Sequence, residues 1–390
     1  MSVDIKKSVL ALRINFIFMG VLMGGWSTRI PELKSALNMN DATLGRTLIG
    51  GSLAGFVSSR IIGKLIRELG TKKVFYLGSV IFPVGYLSIA FAPNAYFVFL
   101  GIFFFVVGYL FLDNPLTIIT QGIEAEQNRK YLSGFHAFWS IGTLAAAFFG
   151  SFLIGRVRYS IHLAGIAIIV FIVLIITSRA LEDKKPGGGD QKPAELKWNG
   201  ALGRVVILMG LGMMFSNGAE FGATDWSALF LRDVLSITGQ LYVGAYLAFE
   251  IGMIISRLLG DKFIHKYGAA KVIQISGFIG ASVWLISMII GVNIDHFNRP
   301  LAYIVILIGY FVAGAGVGPL FPGFITLLGN TPGIDMGTAL SRAFLIAMVG
   351  VAIIPAAIGF ISDATSLTYA MLLPIALLFG AGLLARSRRQ

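Results

Sequence analysis

About twelve apolar segments, each near 20 residues long, follow one another along this 390-residue chain and limit the folds open to it. A helix needs roughly 20 apolar residues to cross the hydrocarbon core of a bilayer. Charged residues make up only 13% of the chain, whereas a soluble domain carries about 25%. The sequence therefore predicts an all-α integral membrane protein. Its twelve spanning helices are expected at roughly 9–29, 42–62, 74–92, 96–121, 132–154, 160–179, 202–224, 239–260, 270–291, 301–328, 337–361 and 366–385.

A short motif at the end of the second segment occurs again about half a chain later. Ser59-Arg60-Ile61-Ile62-Gly63 matches Ser256-Arg257-Leu258-Leu259-Gly260 at an offset of 197 residues, and each copy leads into a basic loop with a second glycine, Gly70 or Gly268. Because both copies run in the same direction, the repeat is parallel and not inverted. It predicts two homologous halves of six helices each.

A polar stretch rich in lysine, glycine and proline separates the sixth and seventh segments. It has no apolar periodicity, which is typical of a linker. The expected domains are therefore an N-terminal bundle at 1–181, a cytoplasmic linker at 182–200 and a C-terminal bundle at 201–390.

Lysine and arginine are distributed unevenly between the two sides of the predicted membrane, with 20 on the side of both termini and 6 on the other. Cytoplasmic loops carry such an excess, so we expect both termini in the cytoplasm of a bacterial inner membrane. The net charge of +12 then reflects topology and attraction to anionic lipid, and no nucleic-acid partner is expected. The chain has no cysteine and only four scattered histidines, so we expect no metal site and no cofactor.

The helix count, the parallel repeat and the basic loops together resemble the major facilitator superfamily. The family's loop signature is similar to 63–72 here, with Arg67 at the place of the family's aspartate and an acid, Glu68, one place later. The second copy keeps an acid, Asp261, directly after Gly260. The resemblance implies two pseudo-symmetric six-helix bundles that transport by alternating access.

A narrower resemblance lies in the fourth and fifth segments. Phe111-Leu112-Asp113-Asn114-Pro115 and the stretch 133–142 resemble the fucose–proton symporter branch, where an acid near Asn-Pro precedes a Phe-x-x-Phe-x-Ser-x-Gly stretch. The stretch 220–231 also resembles permeases of that branch. This resemblance implies proton-coupled transport of a sugar or a sugar-like solute.

Three carboxylates fall inside predicted spanning helices: Asp113, Glu220 and Glu250. A charge at membrane depth costs about 2.5–3.5 kcal/mol or more, so such residues are few and usually functional. Each is a proton-coupling group, the structural partner of a buried arginine, or an acid that stays protonated and inert. We predict that Asp113 carries the coupling proton, with Glu250 as the second acid and Glu220 as a further candidate.

Other polar and aromatic residues are candidates for contact with the substrate. An aromatic ring can stack on a sugar, an imidazole can relay protons near neutral pH, and an arginine can hold an anionic or hydroxylated solute. Each has a structural alternative. The tryptophans expected at the outer ends of helices one and seven can belong to an interfacial aromatic belt. The histidine can make a helix-end hydrogen bond, and the arginine can snorkel to the membrane surface. The candidates are Trp26, Asn114, His136, Trp139, Asn217, Trp226 and Arg342.

The two repeated loops are predicted to form a cytoplasmic latch between the halves. The gating candidates are Gly63, Arg67, Gly70, Arg257, Gly260, Asp261 and Gly268. The glycine-rich segment 314–319 follows no strand, so we interpret it as a broken tenth helix and not as a phosphate loop.

The sequence favours a proton-coupled secondary transporter, expected to be a monomer, whose partners are a small-molecule substrate, protons and membrane lipid. A proton-driven exporter of metabolites or drugs uses the same buried acids and stays open as an alternative. A membrane enzyme is disfavoured because no nucleophile–base spacing or metal cluster is found. A membrane sensor is also disfavoured. It usually needs a soluble output domain, and the longest predicted loop, the linker 182–200, is too short to form one.

Overall fold

The computed structural model describes residues 3–127, 131–183 and 198–386. Within these residues the regular structure is entirely helical. Most of the predicted linker 182–200 lies outside the described residues, because 184–197 are not among them.

Six helices form the first half of the chain. Prolines lie inside three of them, at Pro31, Pro83 and Pro115. The helices are α1 (Val3–Ala36), α2 (Asp41–Leu69), α3 (Thr71–Ala90), α4 (Ala95–Gln127), α5 (Leu132–Ser151) and α6 (Tyr159–Ser178).

The second half contains eight further α-helices. The first of them continues into a π-helical turn at Phe230–Val234, and a 3₁₀ turn at Gly239–Val243 precedes the second. The helices are α7 (Ala201–Leu229), α8 (Gly244–Tyr267), α9 (Ala269–Ile294), α10 (Arg299–Val317), α11 (Leu320–Gly329), α12 (Met336–Ala364), α13 (Leu367–Ala370) and α14 (Leu372–Arg386).

Eleven helical stretches in the described part of the chain are long and apolar enough to cross a membrane. They account for every predicted span except the fifth. There the structure has α5, a helix of 20 residues. The chain is thus an all-α multi-pass membrane protein, as predicted.

Contacts within the chain define two compact units. The first comprises Met1–Met39 and Arg46–Asp190, and the second comprises Asn40–Gly45 and Gln191–Gln390. In the first unit α1 packs on α5 and α6, while α3 packs on α4 and α6. In the second unit α7 packs on α12 and α14, while α9 packs on α10 and α14. The same pairing scheme therefore recurs in the same chain order, as a parallel repeat requires.

Glycines allow the closest helix contacts in both units. A Cβ atom at Gly142 of α5 would fall on the carbonyl oxygen of Ile17 in α1, and one at Gly314 of α10 would fall on that of Phe249 in α8. Small residues let membrane helices approach in this way. The second contact fixes α8, the helix that carries Glu250, against α10.

The first helix extends well beyond its predicted end. Because α1 runs to Ala36, Trp26 lies inside the helix, and the prediction that it ends this helix is wrong. Trp26 is 6% exposed and Trp226 is fully buried, so neither belongs to a surface belt. The polar residues after Trp26 remain helical at low cost because Arg29 and Glu32, one turn apart, form an ion pair.

The tenth predicted segment is broken, as its glycines and prolines predicted. α10 ends at Val317 and α11 begins at Leu320, with Gly318 and Pro319 between them. Proline has no backbone N–H to continue the helical hydrogen bonds. Gly318 also lies so close to Ser256 of α8 that a Cβ atom would collide with the Ser256 hydroxyl.

Candidate functional site

The second unit brings three of the predicted charged residues together. Nη2 of Arg257 in α8 donates to both carboxylate oxygens of Glu220 in α7, at 3.2 and 3.1 Å. Glu250 lies two turns before Arg257 on α8, is only 3% exposed and interacts electrostatically with both residues of the pair. We call Glu220, Glu250 and Arg257 the carboxylate cluster.

Charge balance determines what the carboxylate cluster can do. Two carboxylates and one guanidinium leave one negative charge uncompensated when all three are ionised. Oε2 of Glu250 is buried and has no hydrogen-bond partner among the described residues. An unpaired buried charge costs several kcal/mol, and binding one proton removes the imbalance. The cluster is therefore charge-balanced when one of its two carboxylates is protonated.

Asp113 is half-buried in the first unit, on α4. Its Oδ1 atom is buried and makes no hydrogen bond to any described residue. The neighbouring Asn114 donates from Nδ2 to the carbonyl oxygen of Leu110 at 3.0 Å, which leaves its Oδ1 as an acceptor. Pro115 cannot donate to the carbonyl one turn earlier. This turn of α4 is therefore unusually polar for a membrane helix.

The remaining substrate candidates differ in what they contact. His136 of α5 lies edge-on to Phe16 of α1, with ring centroids 5.3 Å apart. Nε1 of Trp139 on α5 and Nε1 of Trp226 on α7 are buried and find no hydrogen-bond partner in the described chain. They are thus two indole donors inside the protein. Asn217 is half-buried on α7.

Arg342 lies on α12, and its guanidinium is 4.8 Å from the ring centroid of Trp198. A guanidinium over an aromatic face gains about 0.5–2 kcal/mol. Trp198 lies just before α7 and is 45% exposed, so this contact is at the surface of the second unit. The side chain of Arg342 is directed toward this end of the bundle.

The first repeated loop is attached to its own unit. Gly63 and Arg67 are exposed near the end of α2, while Gly70 has a φ of +88° and is buried against Asp183. The backbone N–H of Lys72 donates to Oδ1 of Asp183 at 3.0 Å. The segment after α6 therefore caps α3 and holds this loop.

The second repeated loop has the same backbone but different surroundings. Gly268, between α8 and α9, has a φ of +81° and open space where a Cβ atom would be. Gly260 is buried one turn after Ser256 in α8. The side chain of Asp261 lies outside the described part of the structure.

Arg29 is a buried charge that the sequence analysis did not select as a candidate. Arg29 is fully buried inside α1. It pairs with Glu32 through Nη1 and donates from Nε to Nδ1 of His162 on α6 at 2.9 Å. Because Nδ1 accepts this hydrogen bond, a neutral His162 carries its proton on Nε2. The i, i+3 spacing of Arg29 and Glu32 was the available signal.

The sequence matches the profile of the Major Facilitator Superfamily over residues 12–333. The chain belongs to the Major Facilitator Superfamily. This confirms the family and the twelve-helix fold expected from the repeat.

Two relatives from this superfamily comparison cover nearly the whole chain. The chain is 24% identical over 357 residues to the uncharacterized transporter y4wD of Sinorhizobium fredii, with 90% of each protein covered. It is 26% identical over 376 residues to a glucose/galactose transporter of Brucella abortus, with 89% of this chain and 85% of the relative covered. These relatives are transporters, so the chain is a transporter and not an enzyme.

Among solved structures, the chain is similar to FucP, a Major Facilitator Superfamily transporter in the outward conformation. The TM-score is 0.64 at 18% sequence identity, and 98% of each chain is covered. At this identity the likeness shows the shared fold.

Proposed function

We propose that this transporter is a proton-coupled secondary active transporter of a small polar solute, working by alternating access. The observation that carries the proposal is the carboxylate cluster, in which Glu250 is buried beside a Glu220–Arg257 ion pair with one oxygen unpartnered among the described residues. Structural ion pairs are normally charge-balanced. This cluster reaches balance only with a bound proton.

The two units contribute separate acids to the proposed coupling. In the second unit Glu220 holds Arg257, which leaves Glu250 as the group that exchanges a proton. In the first unit Asp113, with its buried Oδ1, is the corresponding acid. One elementary charge moving through 100 mV supplies about 2.3 kcal/mol, which is enough to drive roughly 50-fold accumulation of a neutral solute.

We propose a sugar or sugar-like solute as the substrate. A polyhydroxylated solute needs hydrogen-bond partners and flat apolar faces, and the chain offers buried indole N–H donors at Trp139 and Trp226 and the free amide oxygen of Asn114. Further proposed contacts are Trp26, His136, Asn217 and Arg342. The glucose/galactose transporter named above makes these two sugars the first probes.

The repeated loops remain the proposed gate. Their glycines, Gly70 and Gly268, adopt the same left-handed backbone conformation at equivalent positions, as expected for two copies of one device. We further propose a monomer in a bacterial inner membrane, with both termini in the cytoplasm. The excess of basic residues on that side supports this orientation.

Reconstitution of the purified full chain into liposomes tests the function. Radiolabelled galactose or glucose is offered under pH gradients of either direction, while a trapped dye reports internal pH. We expect sugar and protons to enter together when the outside is acidic. Protons moving opposite to the sugar would identify the exporter instead. Sugar uptake at the same rate under both directions of the pH gradient would contradict proton coupling. Replacement of Glu68 by Gln is the matched control, because this acid is exposed in the last turn of α2, lies outside the carboxylate cluster and should leave coupling unchanged.

A further inference from the structure

A groove of about 530 Å³ lies in the second unit between α8, α9 and α10. α10 packs against both other helices, and Ala315 of α10 lines the groove together with Pro319, which follows that helix. The walls are large apolar side chains of α8 and α9. The groove is separate from the carboxylate cluster, none of whose residues lines it.

The walls of the groove are exposed although they are apolar. Ile255, Leu259, Phe263, Ile275 and Phe311 are each between 37% and 45% exposed. Ser256, which also lines the groove, donates its hydroxyl to the carbonyl oxygen of Met253 at 3.0 Å. An apolar surface of this kind in helices that span the membrane gains nothing from water and matches hydrocarbon chains.

The end of the groove is basic and aromatic. Tyr267 ends α8, and Nζ of Lys266 and Nζ of Lys271 lie 5.0 and 5.7 Å from the centroid of its ring. Phe263 stacks on the same ring at 6.3 Å. The segment 261–271 carries three lysines against one acid. Lys271 and Tyr267 line this end of the groove, and Lys266 lies near the same tyrosine ring.

We propose that this groove binds an anionic phospholipid. One acyl chain lies along the apolar walls of the groove, and the phosphate of the headgroup lies at its Tyr267 end, next to Lys271 and near Lys266. Basic pockets between membrane helices bind anionic headgroups in this way, and each lysine near the surface contributes through charge. The apolar part of the groove matches the acyl chain of a phospholipid, and its basic end matches the headgroup.

The repeat supplies a control for the lysines. Lys73 follows Gly70 at the same interval at which Lys271 follows Gly268, and it is exposed. Lys64, at the end of α2, is also exposed. Lys64→Gln/Lys73→Gln therefore removes the same charge from the first repeated loop that Lys266→Gln/Lys271→Gln removes from the groove.

Native mass spectrometry of the purified full chain tests the site. Phosphatidylglycerol and phosphatidylcholine with identical acyl chains are titrated separately, and inorganic phosphate is tested alone. We expect phosphatidylglycerol to be retained preferentially, and Lys266→Gln/Lys271→Gln to weaken its binding roughly 5- to 30-fold, with Lys64→Gln/Lys73→Gln unchanged. Ser276→Leu, which fills the groove, should weaken phosphatidylglycerol binding while both lysines remain.

Several results would overturn the site. Equal retention of the two lipids by the unmodified chain would show that the charge of the headgroup is not recognised. Retention of inorganic phosphate without either lipid would show that the acyl chain does not contribute to binding. Equal losses in the two double-lysine variants show that net charge, not this groove, attracts the lipid. Circular dichroism confirms that each variant is folded, and if the Lys266/Lys271 variant is not, Ser276→Leu decides the question by itself.

Discussion

Arg29 and Glu250 are both charged residues buried in spanning helices, but their surroundings differ. Arg29 has Glu32 as a counter-ion and His162 as an acceptor. Glu250 shares a single guanidinium with Glu220, and Oε2 has no partner among the described residues. The first arrangement stabilises a helix end, whereas the second leaves one carboxylate without a counter-ion of its own among the described residues, which is the basis of the proposed proton site.

Replacement of Arg29 by Gln should destabilise the protein strongly. The change leaves Glu32 without its counter-ion and His162 without its donor. Breaking a buried ion pair by removing one partner costs about 3–5 kcal/mol. The measurement is thermal unfolding in detergent, read as the midpoint and converted to a change in the free energy of unfolding.

Arg13 provides the matched control for Arg29 on the same helix. It is exposed and lies over the ring of Phe138 at 5.6 Å, so Arg13→Gln should cost about 1 kcal/mol or less. If the two variants unfold at the same temperature, Arg29 does not have the stabilising role described here.

At the scale of elements, each repeated loop turns on one glycine between two helices. Gly70 has φ +88° and ψ 163°, and Gly268 has φ +81° and ψ 146°. This part of backbone space is close to exclusive to glycine, and other residues pay of order 1–3 kcal/mol there. The two sites differ in that Gly70 is packed against Asp183, while Gly268 has open space.

Gly70→Ala should therefore be more destabilising than Gly268→Ala. Both variants incur the backbone strain of about 1–3 kcal/mol, but only the first forces a methyl group onto the Asp183 carboxylate, which caps α3 through the N–H of Lys72. Thermal unfolding of the two single variants measures the difference. Adding Asp183→Ala to Gly70→Ala should restore the part of the free energy of unfolding that is lost through the collision with the Asp183 carboxylate. Equal destabilisation by the two alanines would contradict this account.

A feature of a helix could be predicted when residues close to it in the sequence determine it, and could not when distant residues do. The existence of spanning helices follows from apolar length, and the break after α10 follows from Gly318 and Pro319. The end of α1 does not, because residues 27–36 remain helical through the pairing of Arg29 with Glu32 and with His162, 133 residues away. The partner of Arg257 could not be predicted for the same reason, because Glu220 lies on another helix.

At the scale of the whole molecule, the proposed orientation rests on the distribution of basic residues. Because the chain contains no cysteine, single cysteines can be introduced without background. Phe297→Cys, in a loop where the side chain is 90% exposed, should react with a membrane-impermeant maleimide added to intact cells. Lys64→Cys, whose native side chain is 70% exposed, should react only after the membrane is opened. Labelling of Lys64→Cys in intact cells would contradict the orientation.

The repeat also explains why the fold of the whole molecule was easier to predict than its site. Two halves with the same helix pairings follow from a 197-residue offset and from helix number, which are visible along the chain. The carboxylate cluster forms where α7 meets α8 and Arg257 donates to Glu220, a contact between residues 37 positions apart in the sequence. The sequence identified the three charged residues but not which acid would hold the arginine.

The most direct test of proton coupling compares two kinds of transport by Glu250→Gln in liposomes. Glutamine mimics the protonated acid and leaves the Glu220–Arg257 pair in place. We predict that Glu250→Gln still exchanges labelled for unlabelled galactose at equal concentrations, but no longer concentrates galactose under an acidic-outside gradient; Asp113→Asn should behave in the same way. If both variants still concentrate the sugar with the pH dependence of the unmodified protein, buried carboxylates do not couple protons to transport in this molecule.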